Sequence, residues 1–216
     1  MALALAAGDG ALVVEADPYG GDIAARARVP LEPGLLTMAA AGRHPTSPLP
    51  IHAQPLPSGA QAIVAPTDPH QASTALAAIA SRLVPALRSN GTAFVDCGRW
   101  SPVTAVTELL ASCDMVVMVA EPTVAGIEHV LARRDALRSV ARRLAVLLVG
   151  DRPYGPGETE AALDLPLVGP FPVDPRGALD VYAGPPRPAR KSGLCRAARS
   201  SLDRLKELTA PLDVPA

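Results

Sequence analysis

The sequence predicts an α/β protein with a mostly parallel, doubly wound sheet and helices on both faces. Three observations carry that prediction. Short β-branched runs alternate with longer segments of helical period. Several of the runs are apolar throughout, without polar alternation, as in strands buried on both faces of a parallel sheet. Acidic residues recur just past the ends of these runs, at Glu15, Asp17, Asp96, Glu121, Asp151 and Asp174. In such sheets ligands bind beyond the carboxyl ends of the strands.

Taken in order, the opening MALALAA reads as an alanine-rich helix. Strands are expected at 11–16 (ALVVEA), 62–66, 92–96 (TAFVD), 115–120 (MVVMVA), 144–150 (LAVLLVG) and 167–171. Between them, helical patterns cover 34–42, 70–89, 102–112, 124–143 and 158–163, and a last one covers 194–209. The Pro-rich stretch 43–60 (RHPTSPLPIHAQPLPSGA) reads as a long loop. The domain organisation expected is one α/β domain over 1–184, a Pro/Arg linker over 185–193, and an amphipathic C-terminal helix and tail over 194–216. No internal repeat is visible.

Composition narrows the function classes. A chain of 216 residues is long enough to bury a sizeable core. With hydrophobic residues at 49% and aromatics at 3%, that core must be aliphatic. Lys+Arg at 20 against Asp+Glu at 21 argues for neither a nucleic-acid binder nor an enzyme of acidic substrates. Lysine occurs only at Lys191 and Lys206. Cys97, Cys113 and Cys195 form no C-x-x-C pair, which predicts reduced thiols in a cytoplasmic protein. MALALAAG lacks a basic flank and is too short for a signal peptide, and no apolar run reaches the ~18–20 residues of a spanning helix. His44, His52, His70 and His129 lack ligand spacing, so no zinc site is expected. Neither a G-x-S-x-G elbow nor a supported Ser-His-Asp set occurs.

Five segments, in order and spacing, carry a resemblance. VVEADPYGGDIA looks like a second strand followed by a switch segment, and FVDCG like a Walker B strand end. LPLVGPFPVDPRGALDVYAG is similar to a late stretch whose Pro-x-Asp turn contacts adenine. VVMVAEPTVAGIEHV and LLVGDRPYGPGE match the intervening strands. Together they resemble the MinD/ParA family of P-loop ATPases, including its CpaE-like branch tied to pilus assembly and cell-pole positioning. The resemblance covers nearly all of residues 1–209.

That resemblance implies roles. Asp17 matches the switch aspartate that orients the attacking water, and Glu15 the acid two residues earlier. Asp96 matches the carboxylate that holds Mg²⁺ through water. Gly20 and Gly21 would let the backbone turn beside the phosphates. Pro172 and Asp174 would flank the base, and Arg152 takes the place of a family asparagine that contacts adenine. Carboxylates suit this chemistry because phosphoryl transfer is mostly positioning and charge neutralisation. For Asp151 and Asp174, ordinary turn formation weighs equally with a binding role. The resemblance further implies ATP and Mg²⁺ as cofactors, a nucleotide-dependent homodimer, and partner proteins that sequence does not identify. It implies a cytoplasmic protein, peripheral to the inner face of the plasma membrane in MinD-like cases, acting in chromosome partitioning, septum placement or pilus and secretion assembly.

Two surface features have competing readings. Arg133, Arg134, Arg138, Arg142 and Arg143 resemble the basic face by which ParA-type relatives hold DNA non-specifically, yet a solvated helix face is the favoured reading. The stripe Leu194, Ala197, Ala198, Ser201, Leu202, Leu205 and Leu208 fits a membrane-surface helix, and fits better a helix packed on its own domain.

One part of the pattern is missing. In the family a first strand leads into a glycine-rich loop, Lys-Thr-Thr, and an Ala/Leu-rich helix that MALALAA resembles. No G-x-x-x-x-G-K-[ST] occurs here, and Lys191–Ser192 follows Ala189–Arg190 after the last strand. The absent strand is expected between the Walker B strand and the 115–120 strand. Either the chain starts at an internal methionine, with ~20 residues upstream, or it is a degenerate member that serves as a non-catalytic scaffold. Unpaired ladder groups at that place predict poor stability for residues 1–216 alone.

Overall fold

Leu12, Val13, Val14 and Glu15 form β1 (Leu12–Glu15), every residue of it buried, as its unbroken apolar run predicts. In the computed structural model, which describes residues 1–8, 10–41, 49–89, 91–100 and 106–210, β1 pairs in parallel with two strands. Val13 lies beside Ala62 of the strand Gln61–Ile63 on one side and Phe94 of Ala93–Asp96 on the other. A two-residue antiparallel strand, Gln54–Pro55, edges this sheet. In chain order these are β2 (Gln54–Pro55), β3 (Gln61–Ile63) and β4 (Ala93–Asp96), giving the order β2-β3-β1-β4. A second parallel pair, β5 (Val116–Ala120) and β6 (Leu144–Leu148), is extended by single bridges from Val146 to Leu167 and Val149 to Phe171.

Ten helices are described: α1 (Ala2–Ala7), α2 (Ile23–Ala27), α3 (Leu35–Ala40), α4 (Pro69–Ser89), α5 (Thr107–Ser112), α6 (Val124–Val140), α7 (Pro156–Leu163), α8 (Pro175–Ala183), α9 (Pro186–Lys191) and α10 (Gly193–Thr209). They form two layers, because successive strand residues face opposite ways. Leu12, Val14, Ile63, Val116, Val146 and Leu148 face a core shared with α3 to α7. Val13, Ala62, Val64, Ala145 and Leu147 face a second core with α1, α2 and α8 to α10. The predicted class, a mostly parallel sheet flanked by helices, is the class observed.

Four details differ from the expectation. The sheet divides between β4 and β5, so six strands do not form one ladder. The 167–171 run contributes two bridges only, since Pro166 and Pro170 supply no N–H to a ladder. The Pro-rich stretch holds β2 and a 3₁₀ turn at Leu49–His52. The segment read as a linker, 185–193, holds α9, whose Ala189 is completely buried. His44, the first part of the predicted 102–112 helix and the tail 211–216 lie outside the described residues.

Candidate functional site

The carboxyl ends of β1 and β4 are neighbours, with Glu15 opposite Asp96. Their carboxylates have different fates. Glu15 is 3% exposed. Its Oε1 accepts the amides of Asp22 (2.6 Å) and Ile23 (2.9 Å), the first donors of α2, and Oε2 accepts the amide of Ala65 (2.8 Å) just past β3. An acid at a helix start satisfies donors that have no partner within the helix. Burial raises the Glu15 pKa, and these three amide bonds pull it back down. Glu15 therefore ties β1, β3 and α2 together, and its oxygens are turned to backbone.

Asp17 and Asp96 stay at the rim. Asp17 Oδ1 accepts the amide of Tyr19 (2.8 Å), and Asp96 Oδ1 that of Gly98 (3.0 Å). The Asp17 carboxyl group lies directly over Gly98, whose φ is 60°; a β-carbon there would sit 2.1 Å from Asp17 Cγ. Burial, then the charges of Asp96 and Asp22, raise the Asp17 pKa against the Tyr19 amide and Arg99. Burial chiefly pushes the Cys97 thiol up to about 12, so it stays protonated near neutrality.

The double glycine shapes this rim. Gly20, at φ 104°, would drive a β-carbon to 2.2 Å from the Thr67 carbonyl oxygen, and one on Gly21 would lie 2.2 Å from Glu15 Oε2. Gly20 thus lets the 17–22 segment close on the β3–α4 loop, while Gly21 leaves room for the buried carboxylate.

The other predicted residues form separate groups. Asp174 caps α8, accepting the amide of Gly177 (2.8 Å), with Gly177 and Gly193 packed against its carboxylate. Pro172 is exposed beside Gly193. Arg152 stands with Asp151, Pro153 and Gly155 in an open hollow past β6. A more enclosed cavity of about 210 Å³, lined by Leu5, Gly8, Gly10, Ala11, Gly59 and Gln61 among others, lies at the opposite, amino edge of the strands, away from the acids.

Sequence reasoning missed Tyr182 of α8. The Arg26 guanidinium stacks 5.4 Å from its ring centre, and burial, with the charges of Asp22, Asp96 and Glu15, raises the hydroxyl's pKa against the pull of Arg26. Its position inside the quoted 165–184 stretch was the available signal.

The whole fold has close structural counterparts. The cell division ATPase MinD of Pyrococcus furiosus superposes with a TM-score of 0.77 at 15% identity, over 96% of this chain and 91% of that one. The septum site-determining protein MinD of Pyrococcus horikoshii OT3, complexed with Mg-ADP, gives 0.75 at 15% identity, over 98% and 91%. A ParA family ATPase from Chlorobium tepidum TLS gives 0.69 at 14%, over 93% and 92%. The fold is that of the MinD/ParA-type P-loop ATPases. No known family's sequence profile and no curated protein matches the chain.

Set in the MinD/ParA frame, the acidic rim fits the metal end of a nucleotide site. Mg²⁺ takes one or two carboxylates and keeps several waters. Asp17 and Asp96 each spend one oxygen on a backbone amide and keep the other free among the described residues. No group of three or more His, Cys, Asp or Glu residues suited to a metal occurs among those residues. The phosphate end fits poorly. Both lysines lie far along the chain, Lys191 ending α9 and Lys206 on α10 beside Asp203 (3.6 Å).

Proposed function

We propose that this chain is a nucleotide-binding domain of a MinD/ParA/CpaE-like spatial-organisation ATPase, whose phosphate-holding half is supplied from outside residues 1–216. One observation carries the reading: Asp17 and Asp96 converge at the carboxyl ends of adjacent parallel strands, with Gly98 packed under Asp17. When Mg·ATP is bound, the metal supplies charge neutralisation for phosphoryl transfer. Asp96 would hold it through water, and Asp17, partly desolvated and beside a like charge, would orient the attacking water. The Pro172–Asp174 turn and Arg152 would border the base, with Asp174 serving first as the cap of α8. Dimerisation across the nucleotide, partner proteins and a role in partitioning, septum placement or secretion assembly belong to the same proposal.

A second reading, a scaffold of this fold without turnover, is favoured by the lack of a lysine at the acidic rim. Calorimetric titration of Mg·ATP separates the two. Residues 1–216 are expected to show no micromolar binding, whereas a version with a strand, glycine-rich loop and lysine grafted ahead of α1 is expected to bind and to lose Mg²⁺ dependence on Asp96→Ala. Micromolar binding by residues 1–216 overturns the incomplete-site reading. A folded graft that binds nothing leaves the scaffold.

A further inference from the structure

We propose that Arg99 is a cation that holds phosphoryl oxygens of the bound nucleotide, facing the metal end formed by Asp17 and Asp96. The inference rests on the nucleotide reading above and adds to it a residue to which the family resemblance assigns no role. Backbone geometry brings Arg99 to the rim. β4 ends at Asp96, and Gly98, at φ 60°, turns the chain there in the left-handed region that favours glycine. The acid itself holds this turn, since the Gly98 amide donates to Asp96 Oδ1 (3.0 Å). The Asp17 carboxyl group covers the same glycine so closely that no β-carbon fits between them. Arg99 is the next residue, so its backbone leaves the turn beside both carboxylates. One residue further, Trp100 is 9% exposed and belongs to the core that holds Val106 and Leu109. Turn and indole fix the backbone on either side of Arg99.

Charge and exposure agree. The Arg99 side chain is exposed, and it makes no hydrogen bond or ion pair among the described residues. Its charge nevertheless reaches Asp17 and favours that carboxylate against the opposing effects of burial and Asp96. The guanidinium is thus close enough to act on the acid without pairing to it. Other arginines are spent: Arg134, Arg138 and Arg143 donate to carbonyls at the ends of neighbouring helices, and Arg26 closes on Asp22 (2.7 Å). A cation held apart from the carboxylates leaves space for a group that needs both. A metal-bound phosphate is such a group, because the metal takes carboxylate oxygens while the remaining phosphate oxygens need donors. A guanidinium fork offers two parallel N–H groups to one phosphate, which a point charge does not. Asp17, Asp22 and Asp96 would repel a bare anion, so Arg99 and the metal must act together.

The probe is magnesium pyrophosphate, added to residues 1–216 and followed by the Arg99 Nε–H resonance and by calorimetry. The unaltered chain is expected to bind it with a Kd on the order of 1 mM. Arg99→Gln is expected to bind about tenfold more weakly, and Arg99→Lys in between, since the charge survives and the fork does not. Arg99 is exposed, so both variants should keep the fold, as checked by unchanged fluorescence of Trp100, the single tryptophan. No binding by the unaltered chain, or equal binding by Arg99→Gln, overturns the role of Arg99. Equal binding of sulfate also overturns it, because the site would then take anions in general. Asp96→Ala separates the two proposals. If it abolishes Mg²⁺-dependent binding while Arg99→Gln does not, Arg99 is excluded and the metal end of the nucleotide reading stands. If binding needs Arg99 yet ignores Mg²⁺ and Asp96, Arg99 stands as a phosphate ligand and the nucleotide reading fails.

Discussion

Gly20 and Gly21 look interchangeable in the sequence, yet they answer to different neighbours. Gly20 needs both its left-handed φ and the space against Thr67 O. Gly20→Ala is therefore expected to cost about 1–3 kcal/mol in denaturant unfolding, towards the upper end because the clash is with backbone. Gly21→Ala presses instead on the Glu15 carboxylate. A double-mutant cycle of Gly21→Ala with Glu15→Ala should give a coupling of about 1 kcal/mol or more, since the two changes share one space; additivity would refute the contact. The rim acids are tested differently. Asp96 raises the Asp17 pKa by charge repulsion, so Asp96→Asn should lower it, as followed by carboxyl-carbon NMR titration. An unmoved Asp17 would mean that the two carboxylates do not converge.

Arginine explains much of what happens between elements. Arg134 of α6 donates to the carbonyl of Leu163 (3.2 Å), and Arg138 to the carbonyl and side chain of Asp164, at the end of α7. Just past α6, Arg143 donates to Thr209 O (2.7 Å) and Ala210 O (3.2 Å) at the end of α10. A guanidinium fork suits this task, since the last carbonyls of a helix lack partners within it. Three of the five arginines that resemble a DNA-binding face are thus engaged in joining helices. α10 is likewise held by its own domain, through buried Cys195, Ala198 and Ser201. Ala198→Glu should destabilise the protein by about 3 kcal/mol or more, because it buries an unpaired carboxylate. A variant of unchanged stability that still binds anionic vesicles would instead free α10 as a membrane-surface helix. Elements legible in sequence were those with a continuous apolar run or helical period, among them β1, β3 to β6, α1, α3 to α7 and α10. Those hidden were the short β2 and α2, and α8 and α9, where Asp174-Pro175 and Pro185-Pro186 read as turn and linker. Proline at the first turn of a helix, behind a capping aspartate at α8, is equally a helix start.

At the scale of the molecule, the same residues that build two continuous cores leave the sheet between them divided. Periodicity could announce six strands and two faces, and the family resemblance could place an absent strand, but only the packed chain shows where the sheet divides. A remote consequence of this packing is testable by pH. His52 is 5% exposed, against Thr37 (3.3 Å), and burial lowers its pKa from 6.5. Above that value neither folded nor unfolded chain carries the proton, so His52 contributes no slope. As pH falls below 6.5 the unfolded chain protonates first, and stability falls until the depressed folded value is passed. His52→Gln should flatten that part of the unfolding profile; an unchanged slope would assign it to other groups.

The order of strands and helices, the aliphatic core and the row of acids at one edge were determined by local pattern, because period and side-chain type act over a few residues. The tertiary structure alone decided what each acid does. Glu15 became a structural tie because Ala65, 50 residues away, brings an amide to it, whereas the Asp96 carboxylate accepts only the Gly98 amide of its own turn among the described residues and remains at the rim beside Asp17. Burial and hydrogen-bond satisfaction are set by neighbours remote in sequence, and no window along the chain contains them.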